Sequence, residues 1–502
     1  MPTLSGIHQS FWIASTLPSQ YPKLLQDLTV DVAVVGAGLV GVTVAKLLKQ
    51  AGKTVALIEA DQIGQGASGH TTAKVTSLHQ LIYANLVDQH GEDKAKQYGE
   101  SNQAAIETLA TLVQEMSIDC DFERKSAYSF AQDLSNLESV QKEVETAQNL
   151  GLPATFERES ELPFEVMGAV KFTDQAQFHP RKFMLAIAAM IPGNGSHVFE
   201  QTRVRKVEGE SPSQVITNGG PVVTAQDVIV ATHLPILDQG LFFAKTYPKR
   251  SYIVGARIDK AQSIHGMYIG TGDSYRSLRT TPIDDGGMML LMGGEGHKVG
   301  EDSDTEIRYQ RLEADMQRYF DVVPDYRWSS QGYESFDKLP YIGPLTPANS
   351  HILVATGFSL WGMSKSIMSA MMLCDRVLGV DNPWASLYDA TRPTPFVTQT
   401  SLKENLDVGT RWVGDRFKGL FNSPSALPKG EGKLVTVDAQ KVAAYRDNKG
   451  ELHAVSAVCP HLGCIVAWNS AEKSWDCPCH GSRFSCDGEI LHGPAVNSLE
   501  QR

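Results

Sequence analysis

The sequence predicts an α/β body followed by a small, separate all-β domain. Residues up to about 392 alternate strand-like and helix-like segments, as α/β proteins do. Within them, residues 251–297 alternate apolar and polar side chains, which is typical of an antiparallel sheet. Beyond about 430, short strand-like runs are separated by turn residues. We therefore expect a body over 1–392, a linker over 393–430 and an all-β domain over 431–502.

Composition excludes several classes of protein. The 502 residues carry a net charge of −12, which argues against a nucleic-acid partner because phosphate binding needs clustered basic side chains. No apolar run approaches the ~20 residues of a membrane span. The N-terminus shows no secretory signal, so we expect a cytoplasmic protein. Five of the seven cysteines lie between Cys459 and Cys486, which is not the distribution of a secreted disulfide scaffold.

A dinucleotide-binding unit opens the body. The stretch "VDVAVVGAGLVGVTVAKLLKQAGKTVALIEAD" (30–61) has the pattern of a strand, a glycine turn, a helix and a second strand. Gly36 permits a tight turn, Gly38 lets the backbone approach a pyrophosphate, and Gly41 lets the helix pack closely on the strand. The N-terminus of the helix offers N–H groups to the phosphates. Glu59 ends the second strand, where an acid would hold ribose hydroxyls.

The segment 393–430 is expected to be a linker that contains an amphipathic helix. Leu406, Val413, Phe417 and Leu420 recur in it at helical spacing. We expect this helix to dock the C-terminal domain onto the body. A helix lying on a membrane surface is the alternative, although the polar face mixes acidic with basic residues.

The C-terminal domain carries a metal-ligand pattern. The pattern consists of Cys459-x-His461 and Cys477-x-x-His480, with 15 residues between His461 and Cys477. This spacing suits a Rieske 2Fe–2S centre, in which one iron takes two thiolates and the other takes two imidazoles. Short Cys/His pairs also suit tetrahedral zinc, so a structural zinc site is the alternative.

The two ligand loops, "CPHLGC" and "CPCHGS", resemble the paired loops of respiratory Rieske proteins almost residue for residue. The resemblance implies a 2Fe–2S cluster, and a disulfide between Cys464 and Cys479 that joins the two loops. It also implies that Ser482 donates its hydroxyl to a cluster sulfur, which raises the reduction potential. Those proteins place a tyrosine where this chain has Phe484, so we expect a potential below the upper end of the Rieske range, ~+300 mV.

Four segments of the body resemble the superfamily of D-amino-acid oxidase and glycine/sarcosine oxidase. They are "GQGASGHTTAK" (64–74), "VIVATHLP" (228–235), "DKLPYIGP" (337–344) and "VATGFSLWGMS" (354–364). The first resembles the second flavin loop of that superfamily, and the second resembles the strand that closes over the dinucleotide. The last two resemble the segments that meet the isoalloxazine ring. The resemblance spans residues 30 to about 390 and implies that the cofactor is FAD.

The implied fold is an FAD-binding Rossmann-like domain interleaved with an antiparallel substrate-binding sheet. The FAD-binding part is expected over about 28–80, 165–240 and 335–392, and the substrate-binding part over about 81–164 and 241–334. The helix after "TGFSLWGMS" is expected to point its first N–H groups at the flavin, where they would stabilise the negative charge of its reduced form. The residues expected to contact FAD are Gly36, Gly38, Leu39, Val40, Gly41, Glu59, Ala60, Ser68, Gly69, His70, Thr71, Thr72, Val204, Thr232, Gly343, Gly357, Phe358, Ser359, Trp361, Gly362 and Met363.

His70 has two candidate roles. In some relatives that demethylate amines, a histidine at about this position carries the flavin covalently. This chain lacks the tryptophan that those relatives place before it. We therefore expect His70 to hydrogen-bond near FAD, with the covalent bond as the alternative.

The resemblance also indicates where a substrate would bind. Superfamily enzymes often hold a substrate carboxylate with a basic side chain on the antiparallel sheet, since a guanidinium matches a carboxylate in shape and charge. Arg276 and Arg279, in "SYRSLRTTP", are the candidates here, and a solvated sheet arginine is the alternative. The sarcosine oxidases place a lysine shortly after the ring-contacting glycines. Lys365 falls one residue later than that pattern, so we expect it to point elsewhere.

The whole chain resembles bacterial fusions of a glycine/D-amino-acid oxidase-type protein with a C-terminal Rieske domain. The resemblance implies an FAD-dependent dehydrogenase of the C–N bond of an amine or amino acid. Electrons would leave singly through the cluster to an unidentified acceptor, either a protein or a quinone. One alternative is an amine oxidase that uses oxygen and has a regulatory Rieske domain, and another is a non-catalytic flavin and Rieske electron-transfer module.

Overall fold

The computed structural model describes residues 4–272, 275–302, 304–393, 427–438 and 440–502. The predicted linker helix, with Leu406, Val413, Phe417 and Leu420, lies outside the described residues. Within these ranges, none of the helices has the length and apolar character that a membrane span requires.

In the described residues, two large sheets form the body and two small ones form the C-terminal domain. The helices are α1 (Phe11–Ala14), α2 (Leu39–Gln50), α3 (Tyr83–His90), α4 (Glu92–Glu115), α5 (Leu134–Asn149), α6 (Pro180–Ala189), α7 (Phe242–Lys245), α8 (Glu306–Phe320), α9 (Gly362–Leu378) and α10 (Ala385–Tyr388). The strands of the body are β1 (Ile7–His8), β2 (Leu28–Val35), β3 (Val55–Ile58), β4 (Lys74–Val75), β5 (Glu123–Ala131), β6 (Ala154–Glu157), β7 (Gly168–Gln177), β8 (His197–Phe199), β9 (Val204–Glu208), β10 (Ser213–Thr217), β11 (Val222–Val230), β12 (Thr246–Ile258), β13 (Met267–Gly270), β14 (Arg276–Pro282), β15 (Met288–Lys298), β16 (Tyr326–Ser335), β17 (Tyr341–Thr346) and β18 (Asn349–Thr356). The strands of the C-terminal domain are β19 (Gly432–Val437), β20 (Gln440–Arg446), β21 (Leu452–Ser456), β22 (Ala467–Asn469), β23 (Ser474–Asp476), β24 (Arg483–Phe484) and β25 (Ile490–His492).

The first large sheet is the Rossmann-like one. Its strand order is β17–β18–β11–β2–β3–β8, and β10 and β9 extend it from β11. Neighbours from β18 to β8 are parallel, and helix α2 packs on β2 through buried side chains such as Val42 and Leu48. Because β2 ends at Val35 and α2 begins at Leu39, the glycine turn lies at the carboxyl end of a central strand.

The second large sheet is mainly antiparallel. Its order is β1–β16–β12–β15–β14–β13–β5–β7–β4, with β6 paired to β7. Strands β4 and β7 belong to this sheet, although the prediction assigned their segments to the FAD-binding part. Residues 168–177 pair antiparallel with β5, so the second sheet continues to Gln177, just before α6.

The C-terminal domain contains a three-stranded sheet, β19–β21, and a four-stranded sheet, β22–β25, with antiparallel neighbours in both. The metal-ligand loops lie between β21 and β22 and between β23 and β24. Together with the two sheets of the body, this arrangement confirms the predicted fold class.

Buried ion pairs join the C-terminal domain to the second sheet. Arg250 of β12 is 1% exposed and pairs with Asp476 of β23 at 3.2 Å. The Arg250 guanidinium also donates hydrogen bonds to Ser329 Oγ and to Gln331 Oε1, each at 2.7 Å. Arg483 donates from Nε to the second oxygen of Asp476 at 3.1 Å. Because a buried charge is costly unless it is paired, these contacts favour one docked position of the domain.

We predict that Asp476→Asn lowers the free energy of unfolding by about 3–5 kcal/mol, because it leaves Arg250 buried without its anion. Chemical denaturation of the purified protein measures this. Asp285→Asn is the matched control, since the pair of Asp285 with Arg257 is more than half exposed on both sides and should contribute under about 1 kcal/mol. Equal losses in the two variants would contradict the interpretation.

Candidate functional site

A cavity of about 580 Å³ lies at the carboxyl ends of the parallel strands. Its size is within the range of small-molecule and cofactor sites. The predicted FAD contacts that line it are Gly36, Gly38, Leu39, Val40, Glu59, Ala60, Ser68, Thr71, Thr72, Val204, Thr232, Phe358, Gly362 and Met363. Residues of the C-terminal domain, including His492 and Val496, complete its wall. The structure thus brings the glycine turn, the second loop and the start of α9 to one cavity.

The glycine turn forms a cradle in this cavity that larger residues would fill. Gly36 has φ +100°, a backbone conformation that side chains disfavour. A Cβ on Gly41 would lie 1.8 Å from the Gly36 carbonyl oxygen, so only glycine lets α2 begin so close to the strand. Leu39 N–H donates to Ser68 Oγ at 3.0 Å, which ties the second loop to the helix N-terminus. These residues fit a pyrophosphate, which binds to backbone N–H groups at such a terminus.

Glu59 is held in place at the end of β3. One carboxylate oxygen accepts from Ala37 N at 2.7 Å and the other accepts from Asp61 N at 3.0 Å. Burial raises the pKa of Glu59. The side chain is therefore oriented at the cavity wall, as a ribose-binding acid requires.

Five predicted FAD contacts line neither this cavity nor its smaller neighbour: Gly41, Gly69, His70, Gly343 and Gly357. The predicted hydrogen bond of His70 near FAD stays a prediction. His70 Nδ1 donates to the Gly66 carbonyl at 2.9 Å, which holds the ring against its own loop, and burial lowers its pKa. Gly69 has a packing role like that of Gly41, since a Cβ there would lie 2.0 Å from the Gly64 carbonyl oxygen.

A second cavity, of about 110 Å³, adjoins the first. Thr71, Thr72 and Met363 line both, and two predicted FAD contacts, Ser359 and Trp361, line only the second. Its titratable wall residues are Lys74, Lys249, Tyr275 and Glu334. A small, polar chamber beside a larger one is the arrangement that a substrate cavity beside a cofactor needs.

Glu334 is the fixed anion of the smaller cavity. It pairs with Lys249 at 3.1 Å and with Lys338 at 3.3 Å, and it accepts from Tyr247 Oη at 2.6 Å. Burial alone would raise its pKa, but the two lysines and the hydrogen bonds outweigh burial and lower the pKa to about 2. Glu334 is therefore ionised throughout the neutral range.

The structure places Arg276 and Arg279 outside both cavities, so neither cavity supports the predicted substrate-binding role. Being three residues apart on β14, they point to opposite faces of the sheet. Arg276 pairs with Glu295 at 2.9 Å and with Asp315 at 2.7 Å. Arg279 is fully buried and donates to the Ala73 carbonyl at 2.8 Å. Both arginines therefore support the sheet and the second loop.

The predicted metal ligands converge in the C-terminal domain. The rings of His461 and His480 lie 5.0 Å apart, and their Nδ1 atoms are buried without a hydrogen-bond partner in the described residues. The thiols of Cys459 and Cys477 are buried beside each other, and their hydrogen bond lowers the pKa of Cys459. Two orphaned imidazole nitrogens and two adjacent thiols fit a cluster that takes two nitrogen and two sulfur ligands.

The remaining residues of the two loops hold them together. Cys464 and Cys479 form a disulfide with an S–S distance of 2.03 Å. Ser482 is fully buried, and its hydroxyl, which hydrogen-bonds to Cys459, contributes to the lowered pKa of that thiol. Ser482 Oγ also accepts from Ala495 N at 3.0 Å. The hydroxyl can therefore donate to a sulfur at the site while its oxygen is held from the other side.

The histidine edge of the metal centre faces the body of the protein. His461 Nε2 donates to Asp238 Oδ1 at 2.9 Å. The Phe243 ring packs edge-on against both ligand rings, at 5.9 Å from His461 and 5.1 Å from His480. Tyr333, which lines the large cavity, donates from its hydroxyl to the His480 carbonyl at 3.1 Å. Tyr333 therefore contacts both the large cavity and a ligand loop.

Fold and site together define a flavin-dependent oxidoreductase with an appended iron–sulfur domain. Residues 31–376 match the family model described as FAD dependent oxidoreductase (DAO), and residues 420–501 match that of the Rieske [2Fe-2S] domain. The chain belongs to the DAO family and carries a C-terminal Rieske domain. The two matches confirm the predicted cofactors, FAD and a 2Fe–2S cluster.

Individual relatives support the same assignment. The chain is 34% identical over 501 residues to YhfW of Bacillus subtilis (strain 168), described as a Rieske 2Fe–2S iron–sulfur protein, with 98% of this chain and 97% of YhfW covered. It is 24% identical over 389 residues to gamma-glutamylputrescine oxidoreductase of Escherichia coli (strain K12), covering 74% and 89% of the two chains. The structure of glycine oxidase from Geobacillus kaustophilus matches with a TM-score of 0.62 at 18% identity, over 73% of this chain and 99% of that one.

Sequence reasoning missed the polar residues of the smaller cavity and the contacts that cover the metal centre. Lys74 is the last residue of the stretch "GQGASGHTTAK" and stands directly before the apolar Val75. A lysine at the end of a predicted flavin loop could have been named as a candidate cavity residue. Asp238 and Tyr333 gave no such signal, because their partners lie 223 and 147 residues away along the chain.

We predict that Gly41→Ala weakens FAD retention about tenfold or more. The added Cβ would push α2 away from the Gly36 carbonyl, and overpacking of this kind costs about 1–3 kcal/mol, where 1.4 kcal/mol is tenfold in affinity. Flavin absorbance per chain after desalting measures this. Gly219→Ala is the control, since a Cβ there meets only ordinary contacts, and equal flavin loss in both variants would contradict the role of Gly41.

We predict that Asp238→Asn raises the reduction potential of the Rieske centre by some tens of millivolts. A carboxylate that accepts from His461 stabilises the oxidised, more positive cluster, and hydrogen bonds to charged groups contribute ~1.5–3 kcal/mol, only part of which differs between redox states. For one electron, about 59 mV is tenfold in the equilibrium constant. An EPR-monitored redox titration at fixed pH measures the shift, and an unchanged or lower potential would contradict the assignment.

Proposed function

We propose that this protein dehydrogenates the C–N bond of a small amine or amino acid and passes the electrons one at a time through its Rieske cluster to an external acceptor. The observation that carries the proposal is the position of the C-terminal domain. Its residues form part of the wall of the large cavity, and its histidine-ligand edge packs against the flavin-binding body.

The residues of the large cavity fit FAD. Gly36, Gly38 and the start of α2 would hold the pyrophosphate, and Glu59 would hold the ribose. The loop that opens α9, with Phe358 and Gly362, would direct N–H groups at the isoalloxazine ring. When bound, FAD would supply the acceptor for a hydride, and the cluster would supply a one-electron carrier.

The smaller cavity supports a small, polar substrate. Its volume of about 110 Å³ is well below the roughly 300–1,000 Å³ of typical drug-sized pockets, so a single amine-bearing group would fill it. Glu334 offers an anion to an ammonium group, and Trp361 offers an aromatic face at the same wall. Two similar proteins are named gamma-glutamylputrescine oxidoreductase and glycine oxidase, and these names point to amine and amino-acid chemistry.

Hydrogen bonds support internal electron transfer. Tyr333 accepts from Ser359 N, in the loop before α9, with its carbonyl oxygen at 2.9 Å. Its hydroxyl donates to the carbonyl of the cluster ligand His480 at 3.1 Å. Gln331 Nε2 donates to the neighbouring Gly481 carbonyl at 2.7 Å. The two hydrogen bonds of Tyr333 therefore connect the predicted flavin loop to a ligand loop of the cluster.

The proposal predicts that one compound from a panel of primary and N-methylated amino acids and amines bleaches the flavin under anaerobic conditions, after which a Rieske EPR signal grows in. Optical and EPR spectra of the purified holoprotein measure the two events. The matched variant is Cys459→Ser, which removes a cluster ligand and lies outside both cavities, so its flavin should still bleach.

Other outcomes separate the alternatives. Flavin bleaching with an oxidised cluster, together with rapid peroxide formation in air that is unchanged in Cys459→Ser, would support an oxidase with a regulatory Rieske domain. If no compound on the panel bleaches the flavin while a chemical reductant reduces both centres, the protein is an electron-transfer module and the proposal fails.

A further inference from the structure

Lys74 is a buried amine in the wall of the smaller cavity. It begins β4, directly after the second loop, and its side chain is 6% exposed. Nζ donates to the Tyr268 carbonyl and to Ser277 Oγ, each at 2.5 Å. Because an amine nitrogen is tetrahedral, these two bonds leave one position for a ligand of the cavity.

The surroundings of Lys74 disfavour a positive charge. Among the described residues, no carboxylate lies within ion-pair distance of Nζ. Burial, and then the positive charge of Arg279, lower the pKa of Lys74 well below its ordinary value. The surroundings therefore favour the neutral amine, which has a lone pair, more than water does.

The other titratable groups of this cavity cannot accept a proton near pH 7. Glu334 has a pKa of about 2, so it takes up a proton only in strong acid. Burial raises the pKa of Tyr275, so its hydroxyl is already protonated. Lys249 pairs with the carboxylate of Glu334 at 3.1 Å, and a neighbouring anion favours the cationic form of a lysine. Lys74 is left as the group of the described wall that can take up a proton.

The charges around Lys74 come from several elements. In the cavity wall and among the hydrogen-bond and electrostatic neighbours of Lys74, the titratable side chains are Tyr268 of β13, Arg279 of β14, Lys249 of β12, Glu334 of β16 and Tyr275. The elements packed on β4 add Lys171 and Asp174 of β7 and Lys365, Asp375 and Arg376 of α9, and Glu123 of β5 bonds to Gln177, the register partner of Lys74. None of these carboxylates pairs with Lys74 Nζ, and that of Glu334 is already shared by two lysines. A proton on Lys74 is therefore poorly stabilised by these surroundings.

We propose that Lys74 is the catalytic base that takes a proton from the bound ammonium form of the substrate before its C–N bond is oxidised. The inference rests on the proposed function. One N–H bond of the substrate ammonium breaks, and the proton joins Nζ of Lys74, which becomes an ammonium group. No electron is transferred in this step. The substrate nitrogen regains its lone pair, which it needs to form the C=N bond as the adjacent carbon is oxidised.

The first test compares wild-type holoprotein with Lys74→Met, a substitution of similar length that cannot accept a proton. The anaerobic rate of flavin bleaching is followed from pH 6 to pH 10 with the panel amine that reduces the wild type. We expect Lys74→Met to be about 100-fold slower or more near pH 7, the usual contribution of a general base. At pH 10 the rate should approach that of the wild type, because the free amine has then lost its proton in solution.

The second test reads the charge of Lys74 without turnover. In holoprotein labelled with ¹⁵N-lysine, the Nζ signal of Lys74 is assigned by its absence from Lys74→Met. We expect the shift of a neutral amine at pH 7, and an ammonium shift at that pH would overturn the proposal. The control for the rate comparison is Lys94→Met, which replaces an exposed lysine of α4. This variant should keep the wild-type rate at every pH.

Each outcome bears on one hypothesis. If the wild type is reduced and Lys74→Met shows the same pH profile, or is slowed equally at every pH, the base role is overturned and the proposed function stands. If no amine reduces the wild-type flavin at any pH, the proposed function fails, and the role of Lys74 fails with it.

Discussion

The arrangement of the two cofactor sites depends on a buried network of charges between the Rieske domain and the antiparallel sheet. Arg250 of the sheet meets Asp476 of the Rieske domain, and Asp476 also pairs with Arg483. Arg483 reaches Glu472 at 3.4 Å, and Glu472 in turn accepts from Tyr309 of the body at 3.0 Å. Charges buried in this way are stable only when every partner is present, so the network selects one docked position.

That docked position determines what the cluster can meet. The imidazole rings of His461 and His480 face the body, where Asp238 bonds to His461 and Phe243 packs against both rings. The Rieske segment from His492 to Val496 forms part of the wall of the large cavity at the same time. One interface therefore positions both the ligand loops and a wall of the flavin-binding cavity.

The parts of the site that sequence analysis predicted are those whose chemistry is local. The glycine turn and the Cys-x-His loops work through residues a few positions apart, so their spacing is visible in the chain. The substrate-binding role of Arg276 and Arg279 could not be judged from the sequence for the opposite reason. Which face Arg276 presents, and its pairing with Asp315 39 residues away, depend on the registry of the whole sheet. Lys74 was missed because the groups that bury it come from distant strands.

Strand β16 explains how one sheet serves both chemistries. Tyr333 and Glu334 are adjacent on it, so their side chains point to opposite faces. Tyr333 bonds to a cluster-ligand loop, and Glu334 lines the smaller cavity. Strand β16 pairs with β12 along the whole of β16, which holds its backbone within the sheet. A displacement of the β16 backbone would therefore move both the wall of the smaller cavity and the contact with the ligand loop.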